Sequence, residues 1–117
     1  MLFVAMMISI VTMSAQIRFS ADASVYDNKT NQTMGKQYIA ADINSNGVGT
    51  MTLGSLKMSA RVNSSKRDNV YKMTAYSVTL RSQNGKTVDV VITLRDKRTC
   101  TVVVYYAEAA LRYDFSF

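Results

Sequence analysis

A thiol is the most reactive group this chain offers, and it has one: Cys100, within "VDVVITLRDKRTCTVVVYY" at residues 88–106. A cysteine nucleophile needs a base to draw off its proton, and the sequence contains no histidine to serve as one. The stretch around it is the most strand-like of the chain, rich in Val, Ile, Thr and Tyr. A thiol held in such apolar surroundings has a raised pKa and is inert. Cys100 is therefore expected in the core.

Two further patterns invite chemistry. "DINSNG", residues 42–47, matches the first half of a calcium loop, in which Asp42, Asn44 and Asn46 supply side-chain oxygens and Val48 a carbonyl. The twelfth position of that loop should be a bidentate Glu, and here it is Leu53. The same residues read equally as a hairpin turn. "NGKT", residues 84–87, carries the tail of a phosphate-binding loop, but the glycine required five positions before Gly85 is Leu80, so the match is accidental. The carboxylates (Asp22, Asp27, Asp42, Asp68, Asp89, Asp96, Glu108, Asp114) are scattered, with no spacing that gathers a general acid and base. With no triad, metal cluster or cofactor loop, no enzyme and no cofactor are expected.

Binding is the remaining class of function. Fourteen basic against 8 acidic side chains leave a formal charge of +6. Cations and aromatics interleave at Tyr71, Lys72, Arg81, Arg95, Lys97, Arg98 and Tyr105, which reads as a face that could stack sugars or bases and attract a polyanion. A solvated barrel exterior has the same composition, and no specific nucleic-acid motif is present. Three glycosylation patterns, at Asn28, Asn31 and Asn63, fall in expected loops.

The length of 117 residues suits one domain. The opening "MLFVAMMISIVTMSAQ" has no charge, and its apolar run followed by Ser14-Ala15-Gln16 reads as a secretory signal covering residues 1–15. The apolar run is shorter than the roughly 20 residues a membrane span needs, so no transmembrane span is expected once the signal is removed. The usual basic opening is lacking: either the start lies upstream, or the segment is a hydrophobic first strand. On the signal reading the domain is 16–117 and the protein is exported, to the periplasm, the cell surface or the medium. Since Gln16 rather than a cysteine stands directly after the cleavage point, no lipoprotein anchor is expected.

From residue 17 onward alternation with period two dominates. "IRFSADASV" sets Ile17, Phe19, Ala21, Ala23 and Val25 on one face, and "LKMSARV" does the same with Leu56, Met58, Ala60 and Val62. The turns predict register. A three-residue loop Gln83-Asn84-Gly85 pairs Leu80 with Val88, Val78 with Val90 and Tyr76 with Ile92, whereas a two-residue loop would bury charge. Ser45-Asn46-Gly47 in turn pairs Ala41 with Met51 and Ile39 with Leu53. An Asp96-Lys97-Arg98 turn sets Leu94 against Cys100, Ile92 against Val102 and Val90 against Val104. A closing loop at 107–110 sets Val104 against Tyr113, Val102 against Phe115 and Cys100 against Phe117. The polar segments "DNKTNQTMG" and "NSSKRDN" are read as connections between strands.

The fold expected is all-β, an antiparallel up-and-down meander of about eight strands, as a small lipocalin-like barrel or a sandwich. Interior side chains of so small a barrel nearly fill it, which leaves at most a shallow cavity. The end of the signal, "MSAQ", and the tail "NGKTVDVVITLRDKRTCTVVVYYAEAALRYDFSF" resemble short, uncharacterised secreted β-proteins of Gram-negative gut-type bacteria. The tryptophans common in that group are missing. The resemblance implies a periplasmic or surface β-domain and lends no catalytic residue. The function expected is a non-catalytic binding module of the cell envelope, for a polyanion, a glycan, a small apolar ligand or an envelope protein. The alternative is an accessory protein that docks a partner chain through a sheet edge or exposed tyrosines.

Overall fold

The computed structural model describes residues 16–117, so the expected signal at 1–15 lies outside the described residues. Eight strands follow one another: β1 (Ile17–Asp27), β2 (Thr33–Ile43), β3 (Val48–Leu53), β4 (Leu56–Asp68), β5 (Met73–Arg81), β6 (Thr87–Arg95), β7 (Thr99–Tyr105) and β8 (Ala110–Ser116). Each pairs antiparallel with the next, and β1 returns to β8, so the meander is a closed barrel rather than a sandwich. Alternation decides what lies inside. Ile17, Ile39, Met51, Leu80, Ile92, Val102 and Val104 are fully buried, and among the described residues no polar or charged residue is buried. Burying one such aliphatic side chain contributes about 1.5–3 kcal/mol.

The Asn-Gly turns set register as their chemistry predicts. Gly47 and Gly85 take φ of 84° and 88°, the left-handed geometry that glycine adopts without steric cost. Leu80 pairs Val88 and Tyr76 pairs Ile92; Ala41 pairs Met51 and Ile39 pairs Leu53. Leu94 pairs Cys100 and Val90 pairs Val104.

The last hairpin differs from expectation by two residues. Val104 pairs Leu111, Val102 pairs Tyr113 and Cys100 pairs Phe115. Tyr105 pairs Ala110, and the Tyr106 amide donates to the Ala109 carbonyl at 2.8 Å, which draws Ala110 out of the loop and into the ladder. "YAEA" contains no Gly, Asn or Pro to specify a loop length. The slip is even, so the same side chains still face inward.

β4 also runs further than expected, continuing to Asp68 through a bulge at Asn63. Asn63 is thus on a strand, its Nδ2 donating to Thr79 Oγ1 at 2.8 Å, and Lys66 and Arg67 are strand rather than turn residues. The turn forms later, where Asp68 Oδ1 accepts the amides of Val70 and Tyr71. An Asp side chain that mimics a backbone acceptor in this way starts a turn.

The seam that closes the barrel is short. β1 meets β8 from Ser24–Asp114 to Asp27–Leu111. Arg112 clasps it, with its guanidinium 4.7 Å from the Tyr26 ring centre and Nη1 donating to Asn31 Oδ1 at 2.7 Å. Near the other end of β1, Gly49 pairs Ile43 at a close crossing of chains, where a Cβ would lie 2.0 Å from the Asp42 carbonyl oxygen. Gly49→Ala is expected to destabilise the barrel by about 1–3 kcal/mol through overpacking, read as a lower urea midpoint with unchanged slope.

Candidate functional site

The two ends of the barrel are filled differently. At the end that holds the start of β1 and the end of β8, three phenylalanines gather. Ring centres are 4.8 Å apart for Phe19–Phe115, 6.5 Å for Phe19–Phe117 and 6.4 Å for Phe115–Phe117. Arg98 covers this cluster, its guanidinium 5.3 Å from the Phe117 ring centre and its Nε donating to the Phe117 carbonyl at 2.8 Å. This end is sealed.

The opposite end, where the β3–β4, β5–β6 and β7–β8 turns lie, is a cup of about 490 Å³. Leu53, Met58 and Tyr113 are its deepest lining residues, and Val88 and Leu111 are half-buried in its wall. Leu56 and Tyr106 stand on its rim, 55% and 45% exposed, beside Ser82, Asn84 and Lys86. Each position follows from alternation: these are the inward residues nearest the turns, where no strand continues to cover them. At the bottom, the Tyr113 hydroxyl donates to Gln37 Oε1 at 2.7 Å. Burial, assisted by the neighbouring Tyr106, pushes the Tyr113 phenol up to about 12. The cup is apolar with a few convergent polar groups, and its volume lies within the roughly 300–1,000 Å³ of small-molecule sites. Two grooves on the outer wall, of about 480 Å³ each, carry charged residues among their lining, Arg18, Asp42 and Lys57 in one and Arg61 and Arg81, beside Val48 and Ala60, in the other.

The residues singled out in the sequence are dispersed over the fold. Tyr71 lies in the β4–β5 turn rather than on a strand face, 71% exposed, with Lys72 next to it at φ 54°. Lys97 and Arg98 form the β6–β7 turn at the same end, and the Asp96 amide donates to the Lys72 carbonyl at 3.0 Å, which brings the two turns together. Arg95 is half-buried and donates to Thr101 Oγ1 at 3.1 Å. Arg81 and Tyr105 lie towards the opposite end, on β5 and β7. One continuous basic and aromatic face is therefore not formed.

Three of the oxygens of the calcium pattern, from Asp42, Asn44 and Val48, are committed within the protein. Asp42 Oδ1 accepts from Arg18 Nε at 3.2 Å, and Asn44 Oδ1 accepts the amides of Asn46 at 2.9 Å and Val48 at 3.4 Å. The Val48 carbonyl accepts the Asn44 amide at 3.0 Å. Among the described residues, no three Asp, Glu, Cys or His side chains gather as metal ligands. Cys100 is buried, and desolvation pushes its thiol up to about 12.

Sequence reasoning anticipated a shallow cavity but none of its residues. The available signal was the run of apolar inward positions beside turns, Leu53, Leu56, Val88 and Leu111, where solubility alone would favour polar groups. No protein-family model, curated protein or solved structure matches this chain.

Two measurements follow from these environments. Cys100 is expected to resist a maleimide in native buffer and to react fully in denaturant, followed by mass spectrometry. The raised Tyr113 phenol contributes stability that is complete below the ordinary phenol pKa of about 10 and is lost as pH rises through about 12. Tyr113→Phe is expected to cost about 1 kcal/mol near neutral pH and to remove the latest-titrating tyrosine from the ultraviolet absorbance profile.

Proposed function

We propose that this chain is a non-catalytic binding module that holds a small apolar molecule in the open end of its barrel. The carrying observation is the contrast between the ends: three packed phenylalanines at one, a largely apolar cup of about 490 Å³ at the other. Hydrophobic side chains around such a cup would be disadvantageous on a protein with no ligand for it. The absence of histidine, the buried thiol of Cys100 and the dispersed carboxylates support a module without catalysis. The uncharged, apolar stretch at 1–15, read as a secretory signal, supports action outside the cytoplasm, and the likeness to secreted β-proteins points the same way.

A second reading, docking of a partner chain, is favoured by one observation. Val70 and Tyr71, 82% and 71% exposed, stand side by side at the tip of the β4–β5 hairpin. Barrel closure argues against its sheet-edge form, because β1 and β8 are paired with each other at the seam.

Titration with an apolar fluorescent probe at low and high salt tests the first reading, with denatured protein as control. Saturable binding that salt leaves unchanged is expected. Val88→Trp, which fills the cup, is expected to weaken it by about tenfold or more, the equivalent of roughly 1.4 kcal/mol of lost apolar contact. No binding, or binding that Val88→Trp leaves intact, would sink the reading and turn attention to the hairpin tip.

A further inference from the structure

The cup is apolar around its depth but not around its rim, and the rim carries one charge. Among the described residues that line it, Lys86 is the only charged one. Its backbone is fixed by the β5–β6 turn, where the Ser82 amide donates to the Lys86 carbonyl at 2.9 Å and the Lys86 amide donates to Asn84 Oδ1 at 3.1 Å. Among the described residues its ammonium group has no ion-pair partner. The ion pairs among the described residues are Arg18–Asp42, Arg67–Asp96 and Arg112–Asp114, and Lys86 belongs to none. The neighbouring Asn84 oxygen already accepts from the Ser82 hydroxyl and the Lys86 amide.

A cation at the lip of an apolar cup has a complementary ligand. The ligand must bury a hydrocarbon portion, since the wall offers only dispersion and desolvation. It must also end in a negative group near the surface, since the cation stands in water at the opening. Lysine suits this as a point charge on a flexible stem that can follow a mobile head group.

We infer that the open end of the barrel takes a single-chain amphiphile with an anionic head, its chain against Leu53, Met58, Val88 and Leu111 and its head at Lys86. The inference rests on the proposed binding role of the cup and adds to it the class of ligand. The arrangement selects in two independent ways. Chain length is read by the cup, at about three- to fourfold in affinity per methylene until the cup is full. Head charge is read at the lip, and being exposed it adds a smaller factor that salt reduces.

The test displaces the fluorescent probe from the full chain with dodecanoate, dodecanol and dodecyltrimethylammonium, each below the concentration at which it forms micelles. It is run on the wild type, on Lys86→Gln and on Lys86→Glu, with circular dichroism as the check on folding. Lys86 is exposed and bonded only through its backbone, so both variants are expected to fold. In the wild type at low salt dodecanoate is expected to bind severalfold tighter than dodecanol, with the cation weakest. Lys86→Gln should make dodecanoate and dodecanol equal, and Lys86→Glu should invert the order of anion and cation. If dodecanol matches dodecanoate in the wild type, or Lys86→Gln keeps the preference, the assignment of the head group is overturned while the cup stands. If none of the three displaces the probe, or the probe itself does not bind, the binding role of the cup falls with it.

Discussion

The short seam between β1 and β8 is the constraint on which the rest depends. An open eight-stranded meander would present its apolar face to water along its whole length. Joining Ser24–Asp27 to Leu111–Asp114 turns that face into one shared interior. Closure also shortens the unpaired edges along which sheets aggregate, since Ser24–Asp27 of β1 are paired with β8. Because the ladder there is brief, side chains reinforce it: Arg112 reaches across to Tyr26 and Asn31 while its Nε holds Asp114 at 2.9 Å. Thr101 adds a hydroxyl donated to the same carboxylate at 2.8 Å, so β7, β8 and β1 are tied on the outer wall.

Once the barrel is closed, its width is set and the size of each inward side chain decides whether space remains. An eight-stranded barrel is just wide enough for side chains to fill it. Where Phe19 and Phe115 meet, they do fill it. Towards the other end the inward positions of β1 and β2 include Ala23, and Gly35 opposite Val25, so that sector contributes little volume. Tyr113 reaches past β1 to Gln37 of β2, and its buried ring underlies the space. The cup is what is left over when small residues sit opposite medium ones near turns that do not fold inward.

Charge plays its part on the outside and at the lips. With no buried polar or charged residue among those described, the core gains nothing from ion pairs and loses nothing to desolvating them. The Arg67–Asp96 pair, at 2.8 Å, links the long β4–β5 hairpin to the β6–β7 turn and holds the Asp96 carboxyl below its usual range. The net positive charge is distributed in turns and on strand ends rather than concentrated in one face, so attraction to anions is general over the surface and specific only where a cation adjoins a shaped site.

Much of this was legible in the residues alone. Alternation named the inward face, and Asn46-Gly47 and Asn84-Gly85 set register because only glycine takes the left-handed position of those loops without strain. The burial of Cys100 followed from its place in the stripe. The last hairpin was misjudged because "YAEA" contains no residue that demands a particular turn, so a hydrogen bond from Tyr106 to Ala109 decided it. Lys66, Arg67 and Asn63 looked like loop residues, yet a bulge at Asn63 carried β4 onward, where Lys66 pairs Ala75 and Arg67 pairs Thr74 on β5. The sequence by itself determined which side chains point inward and which strands are neighbours, because both are local consequences of a period of two and of turn geometry. Only the tertiary structure decided which end is sealed and which is open, because that depends on side chains from distant strands meeting across a closed interior, where volumes rather than patterns are compared.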